Sequence, residues 1–115
     1  MYKYSEEFIE RDIFLEKKLG ISNLQIYAYR HKNVLKVTGK IESDGLKKDI
    51  SFALVGYDKN NDIILTEKNS GYGNFIVSSR IKPNSFFNEY PFGFSYGSKV
   101  VNKVKKIKVY PVEED

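Results

Sequence analysis

The chain carries one imidazole, His31, and no thiol. Cysteine nucleophiles, disulfides, iron–sulfur clusters and cysteine zinc sites are excluded, as is any site that needs two histidines. His31 stands among Arg30, Lys32 and Asn33, a polar run that reads as an exposed turn. Asp58-x-Asn60-x-Asp62 has the opening spacing of a calcium loop. An EF-hand needs Gly at the sixth place and a bidentate Glu at the twelfth, and here Ile63 and Asn69 stand there. The run Asp58 to Asp62 therefore reads as a turn.

Three further patterns imitate catalytic or nucleotide-binding motifs. Gly71-x-Gly73 has Ile76 where the third glycine of a dinucleotide fingerprint belongs, and no phosphate-binding GxxxxGK[ST] occurs. Gly93-Phe94-Ser95-Tyr96-Gly97 spells a nucleophile elbow, but that elbow needs a strand-to-helix turn and a catalytic histidine, and no helix pattern follows. The carboxylates Glu42, Asp44, Asp49, Asp58, Asp62, Glu67 and Glu89 have the chemistry of a glycosidase pair. Each lies beside turn residues or on a polar strand face, where charge is expected anyway. No catalytic, cofactor-binding or metal-binding residue is assigned, and the expectation is a protein without enzymatic activity or cofactor.

Stacking chemistry has more material. Nine Tyr and eight Phe supply most of the large apolar area, with no Trp and one Met. Phe86, Tyr90, Phe92, Phe94 and Tyr96 share one parity, which suits either a base-stacking platform or one face of a core, and the core is favoured. Tyr27, Tyr29 and Tyr57 lie opposite the aliphatic faces of their strands and are the better candidates for exposed contacts. The net charge is +4, from 19 basic and 15 acidic residues. Only Arg11, Arg30 and Arg80 are arginines, the residue type suited to bidentate phosphate recognition, so a solvated lysine surface is favoured over a nucleic-acid footprint.

These residues need elements to position them, and 115 residues suffice for one domain, 1–115, with a self-supporting core. Residues 5–20 carry a helix signal: Ser5 as cap, Glu6 and Glu7 in the first turn, Lys17 and Lys18 in the last, and Gly20 as the left-handed stop. A strand through Ile13-Phe14-Leu15 is the rival. Beyond Gly20 the period becomes two. Leu24, Ile26 and Ala28 form one inward set, then Leu35, Val37 and Ile41, then Ile50, Phe52 and Leu54 with Ser51, Ala53 and Val55 facing out. Ile63 to Thr66 resumes after the Asp58 turn, and Phe75 to Ile81 precedes a turn at Lys82 to Ser85. Pro91 restricts the aromatic strand to an edge or a bulge. A last strand from Val100 to Tyr110 interleaves Lys103, Lys105, Lys106 and Lys108 with apolar residues, as an edge guarded against aggregation would. Six to seven strands joined by polar turns, without long helices between them, indicate an antiparallel all-β domain.

The pattern resembles a known family. Val37-x-Gly39-x-Ile41, a strand ending in Tyr57-Asp58 before Asn-rich turn residues and Ile63-Ile64, and Ile81-Lys82-Pro83-Asn84 look like the FxLYD-type bacterial β-sandwich over roughly residues 34–110. The motif falls on Leu54-Val55-Gly56-Tyr57-Asp58, with Leu in place of Phe and Gly in place of Leu; Asn84 replaces the favoured turn glycine. The resemblance implies an immunoglobulin-like sandwich serving as an accessory module, often exported, with no catalytic residues to carry over. Residues of AT-rich codons dominate the composition, which suits a bacterial source. No signal-peptide pattern or membrane span is present, so the chain as written reads as cytoplasmic, and as extracellular if it is an excised domain. The expected function is a non-catalytic interaction or structural module whose partner is another protein or a second copy. The alternatives are a small β-barrel that binds nucleic acid or another anionic polymer, and a carbohydrate-binding module.

Overall fold

The computed structural model describes residues 1–43, 46–68 and 89–114. Strands make up most of the described residues. They are β1 (Tyr2–Lys3), β2 (Ile9–Arg11), β3 (Asn23–His31), β4 (Val34–Glu42), β5 (Asp49–Tyr57), β6 (Ile63–Lys68), β7 (Glu89–Gly97) and β8 (Lys106–Glu114). One short helix, α1 (Ile13–Lys18), and 3-10 turns at Glu6–Phe8 and Lys99–Lys103 complete the described elements. The first sheet runs β1-β3-β4-β7 and the second β2-β8-β5-β6. All pairings are antiparallel except β2 with β8. This is an all-β sandwich with eight described strands, against the six to seven expected.

The period-two sets built the interface between the sheets. Leu24, Ala28, Leu35, Val37 and Ile41 from the first sheet meet Ile50, Phe52, Leu54, Ile107 and Val109 from the second in one apolar cluster. Each such side chain contributes roughly 1.5 to 3 kcal/mol when fully withdrawn from water. β3 and β4 stay in register from Asn23 opposite Glu42 to His31 opposite Val34, closing on Lys32-Asn33. Lys32 takes φ 56 there, a conformation a glycine would adopt without strain.

Three expectations need correction. Residues 5–20 are not one helix: a 3-10 turn, β2 and the six-residue α1 share them. Ile9 to Arg11 find ladder partners in Ile107 to Val109, and the Asp12 carboxylate then accepts the Leu15 N–H at 3.0 Å, capping the start of α1. Gly20 does take the left-handed conformation, at φ 93. Second, Ser51 and Ala53 are buried although they lie opposite the Ile50-Phe52-Leu54 set, so β5 is covered on both faces there. Third, the lysine-rich final segment is no edge. Its first residues form the 3-10 turn, and β8 begins at Lys106 between β2 and β5. Lys106 instead pairs with Glu10 at 2.8 Å and lies over the Tyr57 ring. β7 is terminal in its sheet among the described residues, where Pro91 is tolerated. No helix among the described residues is long and apolar enough to cross a membrane.

Candidate functional site

The N-terminal segment belongs to both sheets. β1 pairs with the Tyr29–Arg30 end of β3, and the chain then crosses the sandwich to add β2 beside β8. Polar anchors fix the crossing. The Tyr4 N–H donates to the Ala28 carbonyl at 3.0 Å, and the Tyr4 hydroxyl reaches the Val104 carbonyl at 2.8 Å. Burial pushes that hydroxyl's pKa above the ordinary tyrosine value. The Arg30 guanidinium stacks 4.4 Å from the Tyr2 ring centre and donates to the carbonyls of Val101, Asn102 and Val104. It thereby ties β3 to the turn that precedes β8. On the other side of the crossing, Arg11 makes a two-bond pair with the buried carboxylate of Glu16, at 3.0 and 2.5 Å. Those bonds hold the guanidinium's pKa above its usual value.

Because the N-terminal strand leaves the first sheet at Tyr4, it leaves an opening below itself. Backbone groups along a strand alternate in direction. The Ala28 carbonyl faces β1, so Leu24 and Ile26 direct their N–H and C=O the same way, while Asn23, Gln25 and Tyr27 turn theirs to β4. Nothing among the described residues pairs with Leu24 and Ile26 on that side. Their edge forms one wall of a cleft of about 600 Å³ between the sheets, with Ile9 and Arg11 of β2 opposite and Lys3 and Glu6 at the crossing. Ile9 and Ile26 are half-buried, and Tyr27 is 59% exposed. The edge sequence Asn23-Leu24-Gln25-Ile26-Tyr27 contains no charge and no proline. Chemically, the site offers two donors, two acceptors and half-covered apolar surface at strand spacing, which suits an extended backbone.

The residues singled out by motif do not assemble. His31 is exposed at the end of β3. The Asp58 carboxylate accepts the N–H groups of Asn60 and Asp62 at 2.8 and 3.0 Å, so it organises its own turn. Ser95 lies within β7 opposite Lys36, in regular strand and not at a strand-to-helix elbow. Of the carboxylates, Asp58 and Asp62 share that loop, and the register opposes Glu42 to Glu89, while Asp49 and Glu67 belong to the second sheet. Asp44, Gly71, Gly73, Arg80, Phe86 and Phe87 lie outside the described residues. In β7 the register sets Tyr90, Phe94 and Tyr96 opposite the core residues Ile41, Val37 and Leu35, and Tyr96 packs against the core. Tyr27 and Tyr29 belong to the first sheet and Tyr57 to the second, so the three tyrosines make no common platform. Motif reasoning missed the open edge. Its one legible signal was a charge-free five-residue strand segment in a chain with 30% charged residues.

No family model matches the chain, and no curated protein matches it. Among solved structures, the crystal structure of Campylobacter jejuni cj0090 superposes over 95% of this chain and 100% of its own, with a TM-score of 0.50 at 12% sequence identity. That likeness concerns the fold alone.

Proposed function

We propose that the chain is a non-catalytic interaction module, an immunoglobulin-like sandwich of the FxLYD-type bacterial kind, whose working surface is the open edge of β3. The observation that carries this reading is the uncharged segment from Asn23 to Tyr27 beside the cleft, where the outward backbone groups of Leu24 and Ile26 find no partner among the described residues. An exposed sheet edge recruits extended chain by main-chain hydrogen bonds, and its neighbouring pockets select side chains. The disposition of charge supports it: Arg11 and Arg30 are committed to bonds within the protein, and the two cleft charges nearest the crossing, Lys3 and Glu6, offset each other. The departures from the family motif are compatible with the reading. Leu54 is buried in the core, and Gly56 sits against Leu65 and Val104, which leave no space for the family's larger side chain.

An NMR titration with the uncharged pentapeptide Thr-Val-Thr-Val-Thr tests it. The expected result is shifts at the Leu24 and Ile26 amides and the Ile9 methyl groups, with a dissociation constant on the order of millimolar for so short a strand. Shifts confined to other surfaces, or none at the solubility limit of the peptide, would remove the edge as the working surface.

A further inference from the structure

We propose that the natural occupant of the β3 edge is a second copy of this chain, with the two β3 strands antiparallel about a two-fold axis at Gln25. The inference rests on the reading of that edge as the working surface and names its partner. The open window is bounded at both ends. At one end Tyr4 occupies the Ala28 carbonyl. At the other, the N–H and the hydroxyl of Ser22 both bind the Glu42 carbonyl at 2.8 Å, turning the chain toward β4 before Asn23. Gln25 is the middle residue of the window.

A pairing centred on Gln25 is therefore the one that uses the whole window in both copies. It opposes Leu24 to Ile26 of the second copy, and Ile26 to Leu24. These are the residues whose N–H and C=O face outward, so each opposed pair exchanges two bonds, four in all. On the outer face Gln25 meets its own counterpart across the axis, and the exposed Tyr27 ring lies beside Asn23 of the second copy. The first sheets of the two copies then run on as one.

The contrast with the other described edges favours self-pairing. β7 carries Pro91 and β6 ends in Glu67-Lys68, whereas the β3 window has no guard of either kind. A long-lived unguarded edge of high β-propensity is a hazard in solution unless it is covered. An isologous pairing consumes it in both copies at once and closes the assembly at two.

Light scattering and amide exchange on the full chain, from about 10 to about 500 μM, test the proposal. The wild-type protein is expected to pass from monomer to dimer in that range, with exchange at Leu24 and Ile26 slowing as dimer forms. Gln25 and Tyr27, already bonded to β4, serve as internal controls. Gln25 is exposed, so Gln25→Lys and Gln25→Glu fold normally and set like charges opposite each other across the axis. Each is expected to weaken the dimer about fivefold or more, and an equimolar mixture to recover it as a heterodimer. A monomer throughout, while the pentapeptide still shifts Leu24 and Ile26, overturns the second copy as occupant and leaves the interaction module standing. Failure of both measurements removes both. A dimer insensitive to both Gln25 variants places its interface elsewhere and also overturns the proposal.

Discussion

The hydroxyl of Tyr4 and the guanidinium of Arg30 converge on the Val104 carbonyl, from a strand end and a strand interior that lie far apart in sequence. That convergence fixes where the N-terminal segment crosses between sheets, and so where the β3 edge begins to be open. It also has a pH signature. The native state keeps the Tyr4 proton where the unfolded chain has already lost it, because burial raises the folded pKa above the ordinary value of 10.0. The stabilisation is therefore complete below pH 10 and declines as pH rises from there through the folded pKa. Tyr4→Phe is expected to cost about 1 kcal/mol near neutrality through the lost hydrogen bond. Urea melts across the alkaline range should show the gap between wild type and variant narrowing above pH 10, since Phe does not titrate. A constant gap would mean that the hydroxyl is not held neutral by the fold. Neither this contact nor the Arg11–Glu16 pair was legible beforehand. Tyr4 and Val104 are 100 positions apart, and the partner of Glu16 sits on a strand that the helix signal over residues 5–20 had absorbed.

At the scale of elements, the register shift between Gly56 and Tyr57 marks where β5 is most crowded. A Cβ built on Gly56 would stand 3.1 Å from Leu65 Cβ and 3.1 Å from Val104 Cγ2. Leu65 is the cross-strand partner and Val104 is fully buried, so neither has room to yield. Gly56→Ala is expected to destabilise by about 1 to 3 kcal/mol, and Gly56→Leu, the family's own residue type, by more. Chemical denaturation measures both, and a stabilising Gly56→Leu would show that the space is not closed as described. This position separates what alternation conveys from what it does not. The inward faces of β3, β4 and β5 follow from period two, and Pro91 restricts its strand to an edge or a bulge, with β7 terminal among the described residues. The interior place of β8 depends on which strands flank it, and strand order leaves no mark on the hydropathy of a single segment. The N-terminal stretch was misread for a related reason. Pairing with β8 overrode a helix propensity that three residues of strand, Ile9 to Arg11, could not advertise on their own.

At the scale of the whole molecule, the surplus of positive charge decides between the interaction module and a polyanion-binding barrel. At least four of the sixteen lysines make contacts within the protein. Lys105 lies over the Tyr2 and Phe8 rings, Lys106 over Tyr57 with an ion pair to Glu10, Lys108 over Tyr110, and Lys48 near Glu113 at 3.7 Å. Among the described residues, cations gather in two hollows: one of about 400 Å³ lined by Lys59, Lys103 and Lys105 with Arg30 and Asp58, and one of about 490 Å³ where Lys32 and Lys36 flank Met1, Tyr29, His31 and Val34 on the first sheet. In the first, Arg30 and Lys105 are already engaged within the protein and Asp58 opposes an anion; the second offers two lysines and one half-buried tyrosine, so each provides few phosphate contacts where affinity scales with the number of counterions released. Gel retardation with a single-stranded oligonucleotide at about 10 μM protein is therefore expected to show no shift at either about 50 or about 200 mM salt. A shift at low salt that is lost at high salt, and lost again in Lys32→Glu with Lys36→Glu, would place the working surface on the Lys32–Lys36 hollow. The sheet edge would then be a by-product of the N-terminal crossing, and the function would belong to the outer face of β3 and β4.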